Sequence, residues 1–264
     1  MHCSTPKLHS KHFLAAANIL GQRRLTGVSG DRLPVDMRPD NIEQAMQIQG
    51  LLASQLNDNI AGWKCGMPSA EKIVIAPIFS RTTFKQNQKN QYITCKVSDP
   101  EFVKIEPELA FIIGTDLPAR ALPYSEDEVL AALSHAQLAL EIIGCRYTDP
   151  ASASFAEQLA DGLFNQGLFL GPEISIQSAM QAQNIAIELH IETQKSQRFA
   201  GVHPATQPQA PLYWLVEYLH QQGLGLRTGQ AIITGSYAGS PAVPLHKHVQ
   251  VQFEALGTIN VRFE

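Results

Sequence analysis

Three carboxylates stand at positions where a folded chain rarely tolerates them. In Lys104-Ile105-Glu106-Pro107-Glu108-Leu109-Ala110-Phe111-Ile112-Ile113 the apolar, β-branched run predicts a strand over Val103–Ile113. Residues two apart on a strand share a face, so Glu106 and Glu108 project side by side at the mouth of an apolar run. Two carboxylates that close repel each other, burial raises the cost, and a cation resolves the conflict. Pro107 has no N–H to donate, which predicts a sheet edge or a bulge at that point. Leu138-Ala139-Leu140-Glu141-Ile142-Ile143 sets a third acid inside an apolar strand, where an isolated carboxylate is costly unless paired or bound to metal. Three oxygen ligands suit a hard divalent ion, Mg²⁺ or Mn²⁺, with positions left for water and a chelating substrate. Two plainer readings compete. Glu106 and Glu108 could line a solvated face, and Glu141 could pair with an Arg or Lys, Arg146 being near in sequence.

Lys64 lies between Trp63 and Cys65 in a Gly-flanked strand. It reads either as a cation for a substrate carboxylate or oxyanion, or as a surface lysine on an edge strand. Thr234-Gly235-Ser236 offers hydroxyls and N–H groups to an anion, or forms an ordinary turn. The nine histidines make no H-E-x-x-H, His246 and His248 are expected in solvent, and no G-x-S-x-G elbow occurs. A G-x-G-x-x-G leading into a helix and a G-x-x-x-x-G-K-[ST] loop are both missing, so nucleotide binding has no support.

The elements that must position these residues follow from periodicity. A first helix is expected over 13–24 and a second from Asn41 to Leu56, capped by Asp40 or Asn41, with Ile42, Ala45, Met46, Ile48, Leu51, Leu52 and Leu56 on one stripe. Gly27–Arg38 between them is polar. Strands are predicted at Ala61–Gly66, Lys72–Ile78, Tyr92–Val97, Val103–Ile113, Gln137–Ile143, Gly167–Leu170, Ile185–Glu192, Ala231–Thr234, Val249–Glu254 and Thr258–Phe263. The capping box Ser125-Glu126-Asp127-Glu128 predicts a helix running to about Ser134. Another helix spans Ala210–Gln222 and stops at Gly223. Irregular strand spacing argues against βαβ alternation. The expectation is an α+β fold in one domain over 1–264, with a helical part at 1–60 and a β-rich metal-binding core at 61–264.

The chain has 264 residues, 44% of them apolar and 17% charged, as a folded globular protein should. Its 20 Lys+Arg against 24 Asp+Glu give a net charge of -4. There is no basic excess for a nucleic acid and no polybasic tract for a membrane surface. No apolar run reaches the roughly 18 residues a bilayer span needs. Cys3, Cys65, Cys95 and Cys145 form no C-x-x-C pair and read as free thiols in a reducing, cytoplasmic compartment.

Taken in order, Gly62-Trp63-Lys64-Cys65-Gly66, Glu106-Pro107-Glu108-Leu109-Ala110-Phe111, Ala139-Leu140-Glu141-Ile142-Ile143, Ala160-Asp161 through Gly167-Leu168-Phe169-Leu170-Gly171, and Thr234-Gly235-Ser236 form a pattern. It resembles the hydratase/decarboxylase branch of the fumarylacetoacetate hydrolase superfamily, within it the 2-keto-4-pentenoate hydratases. The ending Leu256–Phe263 also resembles the family's last strand, so the likeness runs from about residue 13 to 264.

The resemblance implies a helical N-terminal part and a mixed β-sandwich or roll around a metal site, as in the fumarylacetoacetase C-terminal domain. It implies Mg²⁺ or Mn²⁺ on Glu106, Glu108 and Glu141, with Lys64 as the active-site lysine. An aspartate usually fills the third ligand position in the hydrolase branch, so Glu141 points to the hydratase/decarboxylase branch. The implied chemistry is hydration of a 2-hydroxy-2,4-dienoate to a 4-hydroxy-2-oxo acid in aromatic-compound catabolism. The alternatives are decarboxylation of a 2-oxo-3-enedioate of the 4-oxalocrotonate type and C–C hydrolysis of an acylpyruvate. A non-catalytic binding protein or decarboxylase partner subunit is the reading from another class. A homo-oligomer and association with a pathway decarboxylase are implied as well. Gly144-Cys145-Arg146 stands where the family often has Asp-Ser-Arg, Gly162-Leu163-Phe164-Asn165 where it has Asn-Ala-Ser-Ser, and Pro77–Arg81 lacks an acid often found there. Arg146 and Asp161 remain as substrate contacts, with Thr234, Gly235 and Ser236, in an altered pocket wall.

Overall fold

The computed structural model describes residues 6–86, 92–97 and 102–264, with side chains from residue 11 on. Cys3 lies outside the described residues. The elements in chain order are α1 (Pro6–Thr26), α2 (Ile42–Gln55), β1 (Ile60–Gly66), β2 (Val74–Phe79), β3 (Thr83–Lys85), β4 (Ile93–Cys95), β5 (Phe102–Ile113), α3 (Glu126–Ala131), β6 (Leu133–Ile143) and α4 (Phe155–Ala160). They continue with β7 (Asn165–Ile174), α5 (Ile176–Gln181), β8 (Asn184–Ile191), β9 (Gln197–Val202), α6 (Ala210–Gln221), β10 (Ala231–Ile233), β11 (Ala242–Pro244), β12 (His248–Phe253) and β13 (Gly257–Phe263). The architecture is α+β, and no helix among the described residues is long and apolar enough to cross a membrane.

The two N-terminal helices form because each carries an apolar stripe and a start signal. α1 begins at Pro6, ahead of the expected Phe13, because proline fits the first turn of a helix without losing a bond. Asn41 caps α2 by accepting the Gln44 N–H at 3.0 Å. Ala16, Ala17 and Leu20 of α1 and Ala45, Ile48 and Leu52 of α2 are buried in the main core. The polar stretch between the helices contains a single 3-10 turn at Val35–Met37.

The strands form two sheets. The larger has the order β2-β1-β10-β5-β6-β7-β3, with β11 pairing separately to β5, and the smaller has the order β4-β13-β12-β8-β9. The larger sheet curls until β2 packs against β7. Strand alternation therefore gives it an outside and an inside. Outward residues such as Leu109, Phe111, Leu138, Leu140, Phe169 and Ile232 join a core that includes Ile259, Val261 and Phe263 of the smaller sheet. This one buried set runs from Phe13 to Phe263 among the described residues. Inward residues Ile78, Ala110, Ile112, Ala139, Leu168, Leu170, Ala231 and Ile233 make a second, smaller cluster inside the roll. Gly62 is required where β1 meets β10, since a Cβ there would overlap the Ala231 carbonyl oxygen.

Three expectations are corrected. The helix after Ser125 ends at Ala131, and Leu133 and Ser134 belong to β6. Leu133 pairs with Ile113, and both Gly114 and Thr115 donate to the Ala132 carbonyl, so β5 captures the chain early. Pro107 sits neither at an edge nor at a bulge. It pairs with Leu140 on one side, while β10 pairs with residues 110–112 and β11 with 102–104 on the other. Pro107 occupies the gap between those partners, where its carbonyl accepts the Tyr237 N–H at 2.9 Å. Finally, α4, α5, β3, β9 and β11 form in addition to the predicted elements.

Candidate metal centre

Register brings the acids together. Glu106 of β5 lies directly opposite Glu141 of β6, and Glu108 lies opposite Ala139. All three project into the roll, above the small apolar cluster that includes Ala110 and Ala139. One carboxylate oxygen from each lies within 4.8 Å of the other two. Glu108 and Glu141 are buried and Glu106 is half-buried, so the solvated-face reading does not hold.

Curling of the sheet delivers Lys64 to this cluster, although β10 and β5 separate β1 from β6. Lys64 is buried in a strand paired on both sides, not on a surface edge. Its Nζ lies 2.8 Å from Glu141 Oε1 and donates to the Leu163 carbonyl at 3.1 Å. Asn165 Nδ2 donates to the same Glu141 oxygen at 2.9 Å. The partner of Glu141 is thus Lys64, not Arg146. Glu108 Oε2 accepts the Gly235 N–H at 2.7 Å.

The electrostatics are under-compensated. Burial first, then repulsion from Glu141, pushes Glu106 up to about 7 against the pull of Lys64. Burial, Glu141 and Glu106 drive Glu108 well above the usual carboxylate range. Burial works against the charge on Lys64, yet Glu141, Glu106 and Glu108 together raise its pKa. Three ionised carboxylates and one ammonium sum to a charge of about -2, which one divalent ion cancels. Glu141 Oε2 is buried with no donor among the described residues, although a buried carboxylate oxygen normally finds one. The orphaned oxygen, the oxygen-only donor set and the charge deficit all fit a divalent metal held by Glu106, Glu108 and Glu141.

A cavity of about 500 Å³ opens beside Glu106, with Lys104, Arg146, Leu163, Phe164 and Gln166 in its wall. Arg146 reaches this wall already engaged. Its Nε donates to both Asp161 carboxylate oxygens at 2.8 and 2.7 Å, and Nη1 donates to Gln166 Oε1 at 3.1 Å. Arg146 and Asp161, predicted as substrate contacts, form a buried ion pair. The three residues after Asp161 adopt left-handed backbone, with φ of 82° at Gly162, 50° at Leu163 and 67° at Phe164. That conformation costs about 1–2 kcal/mol for each L-residue, so the surroundings must impose it. Gly144 N–H donates to the Phe164 carbonyl and Leu163 N–H to the Gln158 carbonyl, both at 2.8 Å.

The Thr234-Gly235-Ser236 segment meets the site through Gly235 alone. Gly235 has φ of 141°, and a Cβ there would overlap the Pro204 ring. The Thr234 hydroxyl lies 3.2 Å from His203 Nε2, and Ser236 Oγ donates to the Gly239 carbonyl at 2.7 Å. His246 and His248 are exposed as expected, with His248 stacked on Tyr92.

Sequence reasoning missed two residues. Asn165, which fixes one oxygen of Glu141, stands in the segment where the chain departs from the family pattern. Nothing in the sequence around His203 marks it. Its Nδ1 lies 3.1 Å from the Ala205 nitrogen and 3.2 Å from the Ala205 carbonyl oxygen, its Nε2 lies 3.2 Å from the Thr234 hydroxyl, and burial lowers its pKa, so it buttresses the Gly235 turn as a neutral ring.

Known proteins resemble the chain in sequence and in fold. The family described as Fumarylacetoacetate (FAA) hydrolase C-terminal matches residues 68–264. The chain is 24% identical over 237 residues to 2-keto-4-pentenoate hydratase of Paraburkholderia xenovorans (strain LB400), covering 87% of each chain. A 2-keto-4-pentenoate hydratase of Burkholderia vietnamiensis is 22% identical over 160 residues, 61% of this chain and 60% of that one. Among solved structures, 4-oxalocrotonate decarboxylase from Pseudomonas putida G7 complexed with calcium and acetate superposes with a TM-score of 0.75 at 18% identity, over 100% of both chains. The same enzyme complexed with magnesium and adipate gives 0.76 at 17% identity, again over 100% of both.

Proposed function

The chain belongs to the fumarylacetoacetate hydrolase family, in its hydratase/decarboxylase branch, and from that premise we propose that it is a Mg²⁺- or Mn²⁺-dependent lyase. Its reaction is the addition of water to a 2-hydroxy-2,4-dienoate of the 2-oxo-4-pentenoate type, giving a 4-hydroxy-2-oxo acid. The observation that carries this reading is the meeting of Glu106, Glu108 and Glu141 with Lys64 at the end of a curled sheet.

A bound divalent ion supplies Lewis acidity toward the carboxylate and 2-oxygen of a 2-oxo acid. The chain's own groups do the rest. Glu106, Glu108 and Glu141 hold the ion, with Gly235 N–H and Asn165 fixing two of the carboxylates. Lys64 offers a cation to the anionic head of the substrate and to the charge that builds as the dienol becomes a ketone. Glu106, half-buried, borders the cavity, so an ion it helped to hold would face the incoming substrate, and Leu163 and Phe164 give the cavity part of an apolar wall. Thr234 and Ser236 act by shaping the Gly235 turn, and the Arg146–Asp161 pair by holding the cavity wall. The whole chain acts as one cytoplasmic domain that assembles into a homo-oligomer and works beside a pathway decarboxylase.

A second reading is decarboxylation of a 2-oxo-3-enedioate of the 4-oxalocrotonate type. Lys104, exposed in the wall of the same cavity, supports it as a cation for a distal carboxylate. Turnover of freshly generated 2-hydroxypentadienoate and of 4-oxalocrotonate with Mg²⁺, Mn²⁺ or EDTA tests both. Metal-dependent loss of the first chromophore supports hydration, and loss of the second alone favours decarboxylation. Loss of neither overturns the lyase reading.

A further inference from the structure

Arg24, near the end of α1, is half-buried behind the left-handed turn, and its hydrogen bonds among the described residues go to none of the proposed metal ligands. Burial first, then the nearby charge of Arg146, lowers its pKa to about 9. Its Nε and Nη1 are inaccessible and have no hydrogen-bond partner among the described residues, while the guanidinium lies over the Phe79 ring at 5.4 Å. A guanidinium with two unbonded inaccessible nitrogens is costly.

Its remaining bonds are specific. Arg24 Nη2 donates to the Asp161 carbonyl at 3.2 Å and to the Asn165 carbonyl at 2.7 Å. One nitrogen therefore ties together the two ends of the turn whose middle residues, 162–164, are left-handed. From inside that turn the Leu163 carbonyl accepts the Lys64 ammonium, and from its end the Asn165 amide holds Glu141 Oε1. Lys64 and Asn165 share that one oxygen, which leaves Glu141 Oε2 as the orphan.

We propose that Arg24 is a positioning residue: by clasping residues 161 and 165 it holds the strained turn that aims Lys64 and turns the free oxygen of Glu141 toward the metal. This inference rests on the metal-lyase reading of the site. It gives Arg24 no contact with substrate and no part in proton transfer. Coupling of this kind is reciprocal, so a metal that recruits Glu141 also steadies the turn.

The test is Mn²⁺ affinity, followed by electron paramagnetic resonance well below the unfolding temperature, for wild type, Arg24→Ala and Arg24→Lys. Loss of an outer partner of a metal ligand weakens binding about 10–100-fold. Arg24 acts one bond further out, so Arg24→Ala is expected near the lower end of that range, about tenfold, with Arg24→Lys recovering part of the loss because an ammonium can still reach a carbonyl. Hydrogen exchange at the Leu163 and Asn165 amides of the wild type, with and without Mn²⁺, gives a measurement that needs no variant. Slower exchange with metal is expected. A folded Arg24→Ala protein that binds Mn²⁺ within about twofold of wild type overturns the positioning role, as does exchange unaffected by metal. Wild-type protein that binds no Mn²⁺ overturns the metal reading itself, and this inference with it.

Discussion

Lys64 Nζ lies 2.8 Å from Glu141 Oε1, although two strands separate the strands that carry them. The contact exists because the larger sheet rolls, and it joins the only buried lysine among the described residues to a fully buried acid. Lys64 alone cannot balance three carboxylates. The site is therefore held together in part by what it is built to bind, which leads to measurable consequences.

Lys64→Met should leave Glu141 buried without its cation. Breaking a buried pair in this way costs about 3–5 kcal/mol. Urea unfolding of the metal-free protein should show that loss, and saturating Mg²⁺ should restore much of it by supplying another positive charge. Turnover should remain low with metal present. A variant as stable as wild type without metal would show that the pair contributes little.

The metal-free protein should have a distinctive pH response. Glu106 titrates at about 7 when folded, above its ordinary value of 4.5. The folded state then binds more protons than the unfolded state between those two values. Stability without metal should therefore fall as pH rises from 4.5 through about 7. Ligation requires the carboxylates, so Mn²⁺ affinity should rise through about pH 7 and go on rising while Glu108, held well above the usual carboxylate range, still loses its proton. Calorimetric titration across that window checks the slope, and a flat profile would contradict it.

Asp161→Ala should be a stability variant. It strands Arg146, whose exposure is only 2%, beside the like charge of half-buried Arg24. The expected loss is about 3–5 kcal/mol by denaturant unfolding. If Asp161 instead contacts substrate directly, KM will change in a protein of normal stability.

Much of the site was legible in strand alternation. Glu106, Glu108 and Glu141 could be assigned to apolar strands because a period of two needs only local sequence, and Gly62 and Lys64 could be placed on a strand for the same reason. The meeting of Lys64 with Glu141 was not legible, since it depends on how far a sheet of distant segments curls. Pro107 was misplaced for a related reason: its missing N–H falls in a gap between β10 and β11, and β11 is a three-residue strand with no periodic signal. Arg146 reads in the sequence as a partner for Glu141 or a substrate contact because its actual partner, Asp161, lies beyond a loop and a short helix. That helix, α4, carries the same S-x-x-E capping box as α3, at Ser154 and Glu157, so its start was available to pattern reading. The left-handed backbone at Leu163 and Phe164 had no such signal, because bulky residues do not advertise positive φ.

The most direct test of the central claim pairs turnover with metal removal in wild type and Glu106→Gln. The 2-hydroxypentadienoate chromophore should decay with Mg²⁺ or Mn²⁺ and persist with EDTA. Glu106→Gln, though folded, should lose metal affinity by more than the roughly 10–100-fold expected from losing an outer partner, and turnover with it. Turnover that survives EDTA, or a Glu106→Gln protein with wild-type metal affinity and rate, would contradict the assignment of these carboxylates as the metal centre of a lyase.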